Sequence, residues 1–304
     1  MSQLAVTSLA VFGNPIAHSL SPLIHKYFAQ ATCCQIDYRK ILVDQPFATC
    51  AQEFFAHGGY GCNITVPCKF DAYSFAQERS IQAQISKAVN TLVKRQRDNG
   101  SVYYYGDTTD GPGLVLALEN LDVALQGSNV LLIGAGGAAA GVVPALIDAK
   151  VAGITVVNRT LSKAHDLVMQ IMTFYLNHSP ETELPQLQAC TYEALNASYQ
   201  GKSEAVGIPA RYEVVLNATS LSMHQELPAI DDSIVAAADV AYDLYYTPEG
   251  KTVFTQHASK LGCKHCFDGL TMLVGQAAFS YQLWFGKMPP VLETMEYLRA
   301  HLKR

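Results

Sequence analysis

The chain has 304 residues, more than one hydrophobic core usually serves, so two domains are expected. Hydrophobic residues make up 49% and charged residues 15%, with a formal net charge of −5 and no basic block; this fits a compact soluble protein and argues against a nucleic-acid binder. Met1-Ser2-Gln3-Leu4 carries no secretory signature, no apolar run approaches the ~18 residues of a membrane span, and the eight scattered cysteines fit free thiols in a reducing cytoplasm.

Leu9-Ala10-Val11-Phe12 reads as a first strand, broken by Gly13-Asn14-Pro15. His18-Ser19-Leu20-Ser21-Pro22 then feeds a helix over 22–31, with Ser21 as its N-cap and Pro22 in the first helical position. A strand at 36–43, a helix at 46–57 and a strand at 60–66 continue a β/α alternation that favours a mainly parallel sheet. In the last strand Asn63 and Thr65 alternate onto one face, Pro67 ends the pairing, and Lys69 follows just past the end. The pattern suits an edge that binds hydroxyls beside an ammonium, and locally it suits a solvated edge strand equally well. Residues 95–100 form a turn between strands Thr91–Lys94 and Val102–Tyr105, and a helix runs from Leu114 to about Asn120 after Asp110-Gly111-Pro112-Gly113.

Asn129-Val130-Leu131-Leu132-Ile133 is a short apolar strand leading directly into Gly134-Ala135-Gly136-Gly137-Ala138-Ala139-Ala140-Gly141. With a helix to about Lys150 and a strand at Ile154–Val157 it completes a βαβ unit with a dinucleotide fingerprint. Gly134 permits the tight turn, Gly136 lets the backbone approach a pyrophosphate, and Ala139 allows close helix packing. The helix N-terminus offers free N–H groups to phosphate. An NAD site normally has Asp or Glu at the end of the next strand; here Asn158-Arg159-Thr160 stands there, with Lys163 one turn on. Arg159 can grip a 2′-phosphate with a charge-assisted fork, so NADP is expected, the alternative being a solvated basic helix start. Strands at Glu213–Leu216 and Val240–Tyr242 follow, residues 177–211 are polar and unplaced, and an apolar helix spans Leu270–Phe285 before a short final helix. Cys263-Lys264-His265-Cys266 has no second ligand pair at zinc-site spacing, so no metal is expected.

Several segments then occur in one order: Gly13-Asn14-Pro15-Ile16-Ala17-His18-Ser19-Leu20-Ser21-Pro22, Asn63-Ile64-Thr65-Val66-Pro67-Cys68-Lys69, Ala88-Val89-Asn90-Thr91 and Thr109-Asp110-Gly111-Pro112-Gly113. The Gly-rich loop, Asn158-Arg159-Thr160, Asn217-Ala218-Thr219-Ser220 and Asp268-Gly269-Leu270-Thr271-Met272-Leu273-Val274-Gly275-Gln276-Ala277-Ala278 complete the set. Covering residues 13–278, it resembles the shikimate dehydrogenase family.

The resemblance implies an α/β chain with an N-terminal substrate domain over 1–109, completed by 268–304, and a doubly wound Rossmann-type NADP domain over 110–267. It implies reversible NADPH-dependent reduction of 3-dehydroshikimate to shikimate, on the route to chorismate and the aromatic amino acids. By motif position Lys69 and Asp110 are the catalytic pair. Ser19 and Ser21 meet the substrate carboxylate, and Asn63, Thr65, Asn90, Asp110 and Gln276 surround the ring hydroxyls. Tyr246 stands near the substrate, with Tyr245 a register competitor. Gly134, Ala135, Gly136, Gly137, Ala138, Asn158, Arg159, Thr160, Lys163, Ala218, Thr219 and Gly269 line the cofactor. Structural alternatives exist for some: Ser21 and Asp110 as helix caps, Asn90 as a turn residue, Gln276 as a polar residue on a buried helix. A homodimer is one option for a partner, although oligomeric state is not readable from the sequence.

Three positions depart from the family pattern. Thr108 replaces the usual Asn but keeps a hydrogen-bonding group. Ala140 stands near a position usually Arg or Ser, weakening adenine-side contacts. Ser222 stands where Gly is usual and would be strained if φ there were positive. Two other functions compete: a quinate/shikimate dehydrogenase using NAD, and a non-catalytic NADP-binding sensor.

Overall fold

Two six-stranded sheets organise the chain, each within its own compact unit. The structure, a computed structural model, describes residues 6–201 and 207–302. One unit comprises residues 1–114 and 273–298, the other 115–272 and 299–304.

In chain order the first unit contains β1 (Thr7–Gly13), α1 (Ser21–Ala31), β2 (Ile36–Leu42), α2 (Phe47–Ala56), β3 (Gly61–Ile64), α3 (Lys69–Phe75), β4 (Glu78–Arg79), α4 (Ile81–Ser86), β5 (Thr91–Gln96) and β6 (Val102–Asp107), with α5 (Asp110–Glu119) leaving it. Its sheet has the order β2-β1-β3-β5-β6-β4. β1 pairs parallel with β2 and β3, whereas β5 is antiparallel to both β3 and β6. The carboxyl ends of β1, β3 and β6 therefore share one sheet edge, and the reversed β5 brings its first residues to that same edge. Aromatic side chains fill one face: Phe12 meets Phe47 and Phe54 edge-on, with centroids 5.8 and 5.6 Å apart. On the other face Leu9 and Val93 pack against Trp284, whose indole Nε1 donates to the Leu92 carbonyl at 3.0 Å.

The second unit carries β7 (Asn129–Ile133), α6 (Gly137–Asp148), β8 (Gly153–Val157), α7 (Leu161–His178), β9 (Gln186–Cys190), α8 (Tyr192–Tyr199), β10 (Val214–Asn217), α9 (Asp232–Ala237), β11 (Val240–Asp243), α10 (Val253–Lys260) and β12 (His265–Phe267). α11 (Leu270–Phe285) and α12 (Val291–Leu302) follow. The sheet order is β12-β11-β10-β7-β8-β9, with every pairing parallel. Chain direction from the first strand reverses between β7 and β10, the doubly wound arrangement whose ligand crevice lies outside the carboxyl ends at that switch point. Such strands are covered on both faces, so β8 is buried along its whole length, with Thr155 the one polar side chain in an otherwise nonpolar run.

Element identities expected from periodicity are present, with several corrections. The strand expected at 60–66 stops at Ile64, because the chain turns through Thr65 into Pro67, with Cys68 N–H bonding Thr65 carbonyl at 3.0 Å. Thr65 is thus outside the strand that holds Asn63. Ser21 does not cap α1: it lies inside the helix and no side chain caps that end. α5 begins at Asp110 rather than Leu114, since Gly111-Pro112-Gly113 occupy a first turn that tolerates proline. Unplaced residues 177–211 include the end of α7, then β9 and α8. The short α3, β4 and α4 gave no sequence signal. No helix among the described residues is long and apolar enough to cross a membrane.

Within the first unit, α5 and α11 meet backbone to backbone at Gly113 and Gly275. A methyl group on Gly275 would lie 2.6 Å from the Gly113 carbonyl oxygen, and one on Gly113 would lie 2.7 Å from the Gln276 Cα. Gly275→Ala is expected to destabilise the protein by about 1–3 kcal/mol through forced separation of backbone, read as a lower urea midpoint with unchanged m.

Candidate active site

Four of the expected residues converge at the carboxyl edge of the first sheet. Lys69 opens α3, beyond the end of β3, and its ammonium forms an ion pair with Asp110 Oδ2. Asp110 opens α5 directly after β6, and only 9% of its side chain is exposed. Asn90 immediately precedes the reversed β5, and its Nδ2 donates to Asp110 Oδ1 at 2.8 Å and to Gln276 Oε1 at 3.4 Å. Its Oδ1 accepts from the Thr109 N–H at 2.9 Å and from Thr91 Oγ1 at 2.8 Å. The amide is thus fixed in orientation, with donors aimed at the carboxylate. Gln276 Nε2 is held by the Leu273 carbonyl at 2.8 Å. An ammonium held beside a carboxylate with little solvent can deliver a proton in a defined direction, and the amine left behind can take one back.

Ser19 and Ser21 lie past the end of β1, their hydroxyls 3.2 Å apart with Ser19 Oγ donating, and the Ser21 N–H also reaches Ser19 Oγ at 3.3 Å. The Ser21 hydroxyl is thereby engaged with Ser19 rather than spent on the helix end. Thr65 follows β3 and is half-buried, its backbone N–H on the Phe12 carbonyl at 2.8 Å.

Asn63 sits beside Asn90, whose carbonyl its Nδ2 meets at 3.4 Å, but spends its amide differently. It is 5% exposed, and its Oδ1 accepts from Tyr38 OH at 2.7 Å and contacts His25 Nε2 at 3.0 Å. Its Nδ2 donates to Ser280 Oγ at 2.9 Å and Thr91 Oγ1 at 3.2 Å. Protein groups already satisfy this amide, so Asn63 braces Thr91 and, through it, Asn90. Sequence reading missed His25, Tyr38, Thr91 and Ser280. The available signal was spacing: Ser280 is one turn beyond Gln276 and His25 one turn beyond Ser21, on the same helix faces.

Thr108 retains a hydroxyl, as expected, but that hydroxyl is buried without a partner among the described residues; its backbone N–H is anchored on Asp107 Oδ1 at 2.8 Å. Asp107 also accepts from Ser80 Oγ, the N-cap of α4, and burial pushes its carboxyl up.

The second unit presents a phosphate cradle at its switch point. Gly134 has φ +106°, which a side chain rarely adopts, and a methyl there would meet Thr219 Cγ2 at 3.1 Å. Ala218 and Thr219, at the end of β10, therefore flank the turn at the end of β7. A methyl on Gly136 would meet nothing within 4 Å, so this backbone faces open space, and α6 starts there without a side-chain cap. Gly137 and Ala138 form the first turn, and Ala135 completes the loop. Those features fit a pyrophosphate. Asn158 Nδ2 closes the next turn on the Thr160 carbonyl at 2.9 Å. Arg159 and Lys163 are exposed, and neither has a carboxylate partner among the described residues. That fits a 2′-phosphate. Ala140 is buried in α6, so an exposed contact from that position is lost. Gly269 admits no side chain, since a methyl would lie 2.6 Å from the Leu244 carbonyl carbon. Tyr246 also belongs to this unit, its hydroxyl pushed up to about 12 by burial and by Tyr245 and Asp268. Ser222 shows none of the expected strain: it is buried in a 3-10 turn (Leu221–His224), and the positive φ falls on Gln225 instead. Cys266 Sγ donates to the Cys263 carbonyl at 3.6 Å, and burial pushes its thiol up to about 12.

His25 generates a test. Burial lowers its pKa to about 3, against 6.5 for a free imidazole, outweighing its bond to Asn63. Between those values the unfolded chain binds the proton and the folded one does not, so stability falls as pH falls through this window. Comparing His25→Gln with the parent by urea unfolding at pH 7 and pH 5, the parent is expected to lose about 2 kcal/mol more on acidification.

Comparison with known proteins shows the family. Residues 11–92 match the shikimate dehydrogenase substrate binding domain, residues 115–194 match shikimate / quinate 5-dehydrogenase, and residues 269–296 match the shikimate 5'-dehydrogenase C-terminal domain. A shikimate dehydrogenase (NADP(+)) of Vibrio cholerae serotype O1 is 42% identical over 299 residues, covering 98% of each chain. The crystal structure of an Ael1 enzyme from Pseudomonas putida superposes with TM-score 0.79 at 34% identity, covering 96% of this chain and 98% of that one. Shikimate 5-dehydrogenase from Thermus thermophilus, in complex with NADP(H) and shikimate, gives TM-score 0.76 at 26% identity over 97% and 99%. With this identity maintained along nearly its whole length, the chain belongs to the shikimate dehydrogenase family.

Proposed function

We propose that the chain interconverts 3-dehydroshikimate and shikimate with NADP(H), a step of chorismate and aromatic amino acid biosynthesis. The Lys69–Asp110 ion pair, with Asn90 and Gln276 around it, is the observation that carries this reading in a member of the family. The first unit, with Ser19, Ser21, Thr65, Asn90 and Gln276, takes the substrate; the second, with Gly134 to Ala138 and 158–163, takes the cofactor. Ala218, Thr219 and Gly269 complete the cofactor site, and Tyr246 contributes to the substrate side. All eight cysteines are free, in keeping with a reducing cytoplasm.

When bound, NADPH supplies the hydride. Lys69 stabilises the negative charge that grows on the ketone oxygen and gives it a proton; in the reverse direction it accepts that proton. Asp110 holds the ammonium in place. Asn90, donating to the same carboxylate, fixes which oxygen faces Lys69. Ser19 and Ser21 offer hydroxyl donors to the substrate carboxylate.

Cofactor-reduction assays with shikimate and quinate, each with NADP and NAD, test the assignment: turnover is expected with shikimate and NADP. Preferred quinate turnover with NAD would replace this reading by the broader-specificity one, and no turnover at all would favour the sensor. In Lys69→Ala, kcat is expected to fall by orders of magnitude with little change in shikimate binding; near-normal turnover would remove Lys69 from its role. Arg159→Ala is expected to raise KM for NADP by about 10–100-fold while leaving that for NAD nearly unchanged, because only the charge-assisted contact to the 2′-phosphate is lost.

A further inference from the structure

Asp243 is the last residue of β11, fully buried, and it forms no ion pair among the described residues. Neutral donors alone surround it. Ser222 Oγ and Thr252 Oγ1 each donate to Oδ2 at 2.6 Å, while the Tyr245 N–H and Asn217 Nδ2 donate to Oδ1 at 3.1 and 3.2 Å. Burial pushes the carboxyl up, and the bonds from Ser222 and Thr252 oppose that. An uncompensated buried carboxylate is costly, and no neutral side chain of its size accepts four hydrogen bonds. Its donors come from separate segments: the end of β10, the 3-10 turn after it, the loop after β11 and the start of α10.

Those segments border the phosphate cradle. Asn217 Oδ1 accepts from Thr219 Oγ1 at 2.7 Å and from its N–H at 3.2 Å, fixing the residues that flank Gly134. The Leu244 N–H bonds the Asn217 carbonyl at 2.9 Å, and the Gly269 N–H bonds the Tyr245 carbonyl at 2.9 Å. Pyrophosphate belongs at the Gly134 turn and the 2′-phosphate beyond β8, on one side of the switch point. The nicotinamide half therefore extends the other way, along the ends of β10 and β11. Ser222 takes part through the very hydroxyl that a glycine there would lack.

We propose that Asp243, gathering Ser222, Thr252, Asn217 and Tyr245, is a positioning residue that fixes the nicotinamide end of NADP without affecting the 2′-phosphate end. The inference rests on the NADP reading of the second unit. Full-length Asp243→Asn and Ser222→Ala are titrated by calorimetry with NADP and with 2′-phosphoadenosine 5′-diphosphoribose, which lacks nicotinamide, and assayed for kcat and both KM values. Both variants are expected to bind NADP about tenfold more weakly and to lose kcat. The nicotinamide-free ligand and the KM for shikimate are expected to stay within about twofold, and Ser222→Thr is expected to restore NADP binding. Equal weakening of both ligands, or of neither, overturns the assignment as a merely structural role would. If Asp243→Asn does not fold, Ser222→Ala alone decides by the same comparison. A parent protein that binds neither ligand overturns the NADP reading itself, an outcome distinct from failure of the variants.

Discussion

An ammonium and a carboxylate facing each other with little water between them need a third group to fix their geometry, and here Asn90 provides it. Its amide is pinned on the acceptor side by the Thr109 N–H and Thr91 hydroxyl, which aims its donors at Asp110, Gln276 and the Thr109 hydroxyl. A rotated amide would set carbonyl oxygen against carboxylate. Much of the first unit's polar interior follows from that requirement. Thr91 is steadied by Asn63 and Ser280, and Asn63 in turn by Tyr38 and His25, the last stacked on Tyr38 with centroids 4.6 Å apart. His25 is neutral because it is dry, so this chain of bonds does not change charge near neutral pH.

Topology makes the arrangement possible. In a purely parallel sheet every strand begins at the edge opposite the site. Reversing β5 places the residue before it at the carboxyl edge, where Ile64 N–H meets the Asn90 carbonyl at 2.7 Å and Asn90 N–H meets the Asp107 carbonyl at 3.0 Å. Three strand ends and one strand start thus contribute to one edge.

The second unit solves a different problem, since a dinucleotide needs open backbone rather than a dry ion pair. Gly136 leaves backbone facing open space, Gly134 and Gly269 let their turns pack against Ala218 and Leu244, and Asp243 gathers donors from the intervening loops. The candidate loop residues are small or exposed, whereas Asn217, Ser222 and Asp243, which bond one another, are buried. Ser222 belongs to that hidden layer, which is why it carries a side chain where open backbone was expected, with no strain in φ.

Local chemistry was enough to read most of the parallel strands, though not β9 or β12, and to read the long apolar α11 and the Gly-rich turn, because continuous apolar runs and glycines report directly on burial and on φ. Lys69 and Arg159 stood out locally as charges past strand ends, where a solvated surface reading also fitted, and Asp110 stood out only through the ordered motifs. Short elements such as α3, β4 and α4 were not, since fewer than two turns leave no period to detect. Nor could sequence show that β3 ends before Thr65, so that Asn63 and Thr65 do not share a strand face, or that Thr108 buries its hydroxyl without a partner among the described residues. By itself the sequence determined which residue types stand at which strand ends. Only the tertiary structure decided which hydrogen bonds those side chains spend on each other. Asn63, Ser222 and Asp243 acquire their partners from segments far along the chain, and such pairings depend on how strands are ordered in space.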